Sequence, residues 1–460
     1  MRSNLRIVFA ILSVAALLVS CGETEESGDG VENIAEPDSL AAVPETVVDT
    51  ATNLDTLLAD TSAPEISSSF PLVARHIQLN ETRHLLREKE FSLEVPEGFA
   101  IVPAAQGLKR VRFMALSPDS RLFVTDMQNL ADNRRGKVYV LDGFDRKTKT
   151  FARKTVYLEN LRNPNSIAFF TDESGVHWIY IAMTDRLVRW TYVAGDIAPS
   201  GLPDTLLTFP DSGNSYREGG WHLTRTVTFG DNGKLYVSVG SSCNICEEKE
   251  DVRAGILEMN PDGSEQRIYA SGLRNAVGIR WADGDLWATN MGADHLGLDK
   301  PEDNFYRVRD GANYGWPYAY EYGGKIYPDP VYGSQPDAPP LDEVPLSWAG
   351  LTAHVAPLGF DWFGGAKDTV LHDHFLIALH GSGSVAMRRG YSIVRVSEGN
   401  AGEEFVSGFL KGKKRYGRPC DILRAGPDAF FFTDDYAGVV YYVWWRNRED
   451  SSVVSSKAEG

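Results

Sequence analysis

From residue 113 onward the chain alternates short apolar runs with turn residues, and one unit of this pattern returns six times. The unit is a pair of strand-type runs rich in Val, Ile, Leu and aromatics, joined by a tight turn. The pairs are 113–116 with 122–125, 166–170 with 178–181, 226–229 with 235–239, 277–281 with 286–289, 358–362 with 375–379, and 421–423 with 430–433. Pro118-Asp119, Asp231-Asn232-Gly233 and Asp283-Gly284 supply the backbone geometry that hairpins need. Most pairs are followed by a third run, at 137–141, 256–259, 305–308, 393–396 and 440–443, which reads as an outer edge. Helical periodicity is weak. The pattern predicts an all-β fold, a six-bladed β-propeller of four-stranded blades over residues 86–446, with the run near 99–102 closing the ring against the last blade. Regular spacing argues against the alternative, a two-domain β-sandwich.

The pattern changes at both ends. Arg2 and Arg6 precede an apolar run at 7–19, too short to span a bilayer and typical of a signal peptide, here 1–20. It ends Leu18-Val19-Ser20-Cys21-Gly22, which resembles the bacterial lipobox and implies lipidation of Cys21 after cleavage. Residues 21–85 read as a lipidated cysteine and acidic tether. Between 23 and 69 about a dozen Asp and Glu stand with no Lys or Arg, so the segment cannot bury enough apolar surface to offset chain entropy. Residues 447–460 read as a polar disordered tail. The expected location is the cell envelope, on the periplasmic side of a membrane, with the outer membrane favoured because Gly22 rather than Asp follows Cys21.

The formal charge of −17 excludes nucleic acid as a partner, since phosphate binding needs a basic face. Of four cysteines, Cys243 and Cys246 form a close pair in an exported chain, where a disulfide is favoured over zinc because no second pair follows. Glu247 stands where covalent haem attachment would need histidine, so electrons from any redox reaction must leave to a separate acceptor such as a cytochrome or quinone.

A propeller by itself does not give function, so chemistry is sought in the loops at blade entries and exits. His222, before the third pair, is placed to act as a general base or simply to satisfy neighbouring backbone groups. Arg274 and Asn275, before the fourth pair, suit a carboxylated or quinoid ligand, or else an inter-blade salt bridge. The loops at 290–294, 302–305 and 311–317 bring carboxylates and exposed carbonyls, which a hard cation such as calcium takes, or are solvated loop acids beside an aromatic turn. His354, His380 and Arg418 sit at further blade entries and exits, each with a structural explanation available when taken singly.

Gly272-Leu273-Arg274-Asn275, Asn313-Tyr314-Gly315-Trp316-Pro317, Ala356-Pro357-Leu358-Gly359 and Leu379-His380-Gly381-Ser382 together resemble, in the same order, the PQQ-dependent glucose/sorbosone dehydrogenase family, which includes soluble aldose dehydrogenases. The likeness covers roughly 91–443 and is nearer to the sorbosone-type branch. It implies pyrroloquinoline quinone (PQQ) and calcium at the channel mouth and oxidation of a sugar-type alcohol or aldehyde. It implies His222 as the base, Arg274 as the group that polarises a quinone oxygen, and Asn275, His380, Arg418, Arg112 and His354 as cofactor contacts. Gly292 and Ala293 would give carbonyls, and Asp294 or Asp303 a carboxylate, to calcium. The chain departs from the family at Trp221, Val277, Asp303-Asn304 and Gly383-Ser384-Val385, which bears on substrate and on calcium. A calcium-dependent lactonase and a non-catalytic glycan- or protein-binding propeller are the alternatives.

Overall fold

A computed structural model describes residues 79–86, 89–210, 222–365, 370–400 and 402–446, with side chains described from residue 91. The expected signal peptide, Cys21, most of the tether, the polar tail and Trp221 lie outside these residues. Among the described residues no helix is long and apolar enough to cross a membrane, and the helical content is one short 3₁₀ turn, Asp294–Leu296.

Six four-stranded antiparallel sheets follow one another along the chain. Blade 1 is Val111–Leu116, Leu122–Asp126, Gly136–Asp145 and Thr150–Leu161. Blade 2 is Ser166–Thr171, His177–Ala182, Arg186–Tyr192 and Asp204–Thr208. Blade 3 is Arg225–Phe229, Leu235–Val239, Gly255–Met259 and Arg267–Ala270. Blade 4 is Ile279–Ala282, Asp285–Asn290, Asp303–Arg307 and Ala349–Leu351, with a separate hairpin, Ala319–Tyr322 and Lys325–Pro328, inserted before its last strand. Blade 5 is Pro357–Trp362, Phe375–Leu379, Ser392–Val396 and Glu403–Val406. Blade 6 takes Pro419–Gly426, Ala429–Asp434 and Val439–Trp445 from the end of the chain, and its fourth strand is Phe99–Ala105. The first strand of each blade packs on that of the next, and blade 6 packs on blade 1, so the fold is a six-bladed β-propeller.

The third runs are not edges. Each is the third of four strands, and the edge is a more polar strand that the apolar pattern did not mark. Gly255–Met259 is buried at every position, whereas its outer neighbour Arg267–Ala270 is exposed over half its length. A strand covered on both faces reads as a continuous apolar run, while a solvated edge does not. The strand Leu79–Leu86, paired with Lys89–Pro96, lies, all but its last residue, inside the stretch expected to be tether, and Glu94 bridges to Ser407 beside blade 5.

An aromatic pair sits at each of the six blade interfaces: Phe123–Phe169, Phe170–Phe229, Tyr236–Trp281, Trp287–Phe375, Phe363–Phe430 and Phe431–Phe144, with centroids 4.6 to 5.7 Å apart. Such pairs add roughly 0.5–1.5 kcal/mol each beyond the area they bury. Nearer the axis, hydroxyls link the blades. Thr125 donates to the Asn165 carbonyl (2.7 Å), Thr226 to Val277 (2.5 Å), Thr289 to Leu358 (2.9 Å) and Thr433 to Arg112 (2.7 Å). Phe113, Val277, Leu358 and Cys420, from four different blades, meet in one buried cluster with Met291. They stand at or near the starts of first strands, so the residues that precede them, and those leaving the second strands, gather at one end of the ring, its mouth.

Candidate active site

Around this mouth the side chains fall into two groups. The first is built on blades 3 and 4. His222 stands half-buried three residues before Arg225–Phe229, against the exit of the next strand: its Nδ1 lies 2.9 Å from the Ser241 carbonyl oxygen and 3.0 Å from Ser241 Oγ. A carbonyl only accepts, so Nδ1 carries the hydrogen in the neutral ring and Nε2 carries the lone pair. Burial, followed by the charge of Arg274, holds the imidazole well below its ordinary pKa of 6.5, so it is neutral at pH 7. A Cβ on Gly240 would lie 2.6 Å from both His222 Cβ and Asn275 Oδ1. Glycine at this position lets the histidine and the asparagine close on one point.

Arg274 is buried and donates through Nε to the Asn244 carbonyl (2.9 Å) and through an amino group to Asn244 Oδ1 (2.8 Å), with Asp294 at 3.4 Å. Asn244 Oδ1 also accepts the Asp294 amide (2.9 Å), and its carbonyl accepts the Trp316 indole (3.3 Å). Asn244 lies between Cys243 and Cys246, which form the expected disulfide. Asp294 also meets His354 Nδ1 (3.1 Å), while His354 Nε2 meets the Gly297 carbonyl (2.8 Å). The bond to Asp294 raises the His354 pKa. For Asp294 itself burial pushes upward, but His354 and Arg274 outweigh it and the net shift is down. His354 and Ala356 both hold positive φ, +64° and +53°, a strained conformation for residues with a side chain, at the entry to blade 5.

Asp303 is fully enclosed. One oxygen accepts the Gly292 amide and the other the Ala356 amide, each at 2.8 Å, so it braces the loops that carry Gly292, Ala293 and His354. Burial pushes its carboxyl up to about 6 despite those amides.

The second group is built on blades 5, 6, 1 and 2. Asp435 leaves the second strand of blade 6 and accepts Arg112 (2.9 Å) on one oxygen and His380 Nε2 (2.8 Å) on the other, with Arg110 at 3.5 Å. Burial works against its charge, yet His380 and the arginines hold it far below the usual carboxylate range. Burial, then the charge of Arg418, depresses His380 to about 3, so a neutral imidazole donates to an ionised carboxylate. Arg112 also reaches Asn165 Oδ1 (2.9 Å), and Asn165 in turn donates to Thr226 Oγ1 (3.0 Å) on blade 3. Arg418 donates to the His380 (3.0 Å) and Gly381 (2.8 Å) carbonyls.

Every expected side chain within the described residues therefore lies at this mouth. His222 does satisfy a backbone carbonyl, and Arg274 does meet a carboxylate; each structural role coexists with a place at the rim. Sequence reasoning missed Ser241, Asn244, Asn165 and Asp435. All four follow a second strand or precede a first one, the same positions at which His380 and Arg274 were found, so the blade pattern held the signal.

The family model for Glucose / Sorbosone dehydrogenase matches residues 114–386, more than half of the chain. An uncharacterized protein of Borreliella burgdorferi is 25% identical over 403 residues, 83% of this chain and 98% of that relative. Among solved structures, the chain is similar to the holo form of the pyranose dehydrogenase PQQ domain from Coprinopsis cinerea (TM-score 0.60, 20% identity, 77% of this chain and 97% of that one). It is also similar to the PQQ-bound aldose sugar dehydrogenase from Streptomyces coelicolor (0.55, 21%, 76% and 99%) and to the calcium structure of a Trichoderma reesei carbohydrate-active enzyme of family AA12 (0.63, 17%, 76% and 96%). These structural likenesses speak for the fold, and the family match speaks for descent: the chain belongs to the glucose/sorbosone dehydrogenase family.

Proposed function

We propose that the protein is a PQQ-dependent oxidoreductase that removes hydride from a sugar or related alcohol or aldehyde, with His222 as general base. One observation carries the reading: a neutral, Nδ1-anchored imidazole stands beside the buried Arg274 guanidinium, and the second group adds two more buried guanidiniums, Arg112 and Arg418, all three exposed by only 3–5%. PQQ is planar and bears three carboxylates, so its recognition calls for donors fixed in direction. Arg274 and Arg418 donate to uncharged oxygens of Asn244, His380 and Gly381, which fix the direction of each guanidinium. That donor set fits the cofactor. Arg274 and Asn275 would hold its quinone side; Arg112, Arg418, His380 and His354 would hold the rest.

When bound, PQQ supplies a two-electron acceptor for hydride. His222 Nε2 would take the hydroxyl proton of the substrate, and the Ser241 carbonyl would hold the ring in the required tautomer. The depressed pKa keeps this base unprotonated at neutral pH. Arg274 would present positive charge where negative charge develops. Calcium would be held by the Gly292 and Ala293 carbonyls and Asp294, with Asp303 bracing the loop. Electrons would pass to a separate cytochrome or quinone. Export and anchoring through lipidated Cys21, on the periplasmic side, complete the reading and rest on the Leu18–Gly22 pattern.

The test is an absorbance titration of the cofactor-free protein with PQQ and calcium, then dye reduction across a panel of sugars. Saturable binding with sugar-dependent bleaching is the expected result. Hydrolysis of lactones without PQQ, and no bleaching, would instead identify a calcium-dependent lactonase.

A further inference from the structure

The loop that leaves the second strand of blade 3 touches His222, Arg274, Asp294 and Trp316. Ser241 receives His222, and its amide donates to the Arg274 carbonyl (2.8 Å) while its hydroxyl donates to the Cys243 carbonyl (2.7 Å). Three residues on, Asn244 accepts four hydrogen bonds on two oxygens: two from the Arg274 guanidinium, one from the Asp294 amide and one from the Trp316 indole. Both donors on Oδ1 are N–H groups, so the amide orientation is fixed and only a carbonyl-type oxygen serves there. Alanine would abolish both side-chain bonds; aspartate would keep both acceptors. The turn has no regular secondary structure to hold it. Instead Cys243 and Cys246 close it, and Ile245, Ala254, Ala293 and Trp316 pack around the bridge.

We propose that Asn244 is the positioning residue for Arg274, and that the Cys243–Cys246 disulfide is the staple that keeps it in place. Guanidinium direction is set by Asn244, and the position of Asn244 is set by the bridge. The proposal rests on the dehydrogenase reading only for its consequence in catalysis; the clamp itself is a property of the chain without cofactor. It predicts that reduction of one disulfide, at the edge of the mouth rather than in it, lowers turnover without removing any group that touches substrate.

The experiment uses the full chain. In cofactor-free protein, the Arg274 Nη–H resonances, which include the donor to Asn244 Oδ1, are identified by their loss in Arg274→Lys, and their solvent exchange is measured by NMR. Asn244→Ala and the double variant Cys243→Ser/Cys246→Ser should each speed exchange at least tenfold, while Asn244→Asp stays near wild type. In protein loaded with PQQ and calcium, the first two should lower kcat with little change in KM, and Asn244→Asp should restore it. Unchanged exchange in Asn244→Ala overturns the proposal, whether or not the double serine variant folds. If exchange responds as expected but loaded wild-type protein oxidises no sugar, the clamp stands and the dehydrogenase reading falls.

Discussion

On the side of blades 3 and 4, His222 and Arg274 are oriented by the carbonyl of Ser241 and the two oxygens of Asn244, none of which is ionised. On the side of blades 5, 6 and 1, Arg112, Arg110 and His380 converge on the single carboxylate of Asp435. The first arrangement aims its polar groups through uncharged oxygens, with the Asp294 carboxylate 3.4 Å from Arg274. The second neutralises charge inside the protein and couples three blades, as a fixed wall requires. On the proposed reading the mouth divides its labour: one half would react, the other would hold shape around an anionic ligand.

The sharpest test of the division is His222→Ala. Loss of a general base typically costs about 10²–10⁴-fold, so kcat should fall by that range while the melting temperature and PQQ titration stay near wild type. A variant that lost PQQ binding equally would place His222 in the wall. Next comes Asp435→Ala, which strands Arg112 without its buried counter-ion and His380 without its acceptor. Breaking a buried pair costs ~3–5 kcal/mol, so denaturant unfolding should show a loss of that order. A loss below 1 kcal/mol would mean that the wall does not depend on this carboxylate.

A smaller effect is expected for Arg274→Lys. An ammonium cannot span both oxygens of Asn244, and a hydrogen bond to a charged group is worth ~1.5–3 kcal/mol. Turnover should fall roughly tenfold to a hundredfold, with stability little changed. The smallest effect is a slope. His380 is depressed from 6.5 to about 3 in the folded state, so the unfolded chain takes up that proton first. Its contribution to stability is complete above the unfolded value and is lost as pH falls from about 6.5 towards about 3. Asp303, raised to about 6 on the other side of the mouth, works in the opposite sense, its contribution falling as pH rises past the ordinary Asp value. His380→Asn should therefore flatten the acid-side loss by at most ~1.4 kcal/mol per pH unit, measured as unfolding free energy between pH 7 and 4.5. An unaltered slope would show that His380 is not the group that titrates.

The inner hairpins were legible because buried strands need apolar residues at nearly every position and tight turns need Gly, Asn, Asp or Pro. Residues 226–229 and 235–239 correspond to Arg225–Phe229 and Leu235–Val239 with hardly a shift. The outer strands were not legible, because Thr150–Leu161 and Arg267–Ala270 are solvated edges whose composition resembles a loop. At the mouth, His222, Arg274 and Arg418 were visible because each is a strongly functional residue type at a blade entry. Asp303 was visible as an acid, but its use on two backbone amides was not.

What the sequence determined by itself is the repeat, and with it the all-β ring and the end of each strand at which polar groups gather. The strand period and turn chemistry are local, so they can be read along the chain. What only the tertiary structure decided is pairing: that Asn244 holds Arg274 from 30 residues away, and that Asp435 meets Arg112 across 323 residues. Ring closure brings the ends of six sheets to one rim, and which partners meet there depends on blade order and burial, quantities that no window of sequence contains.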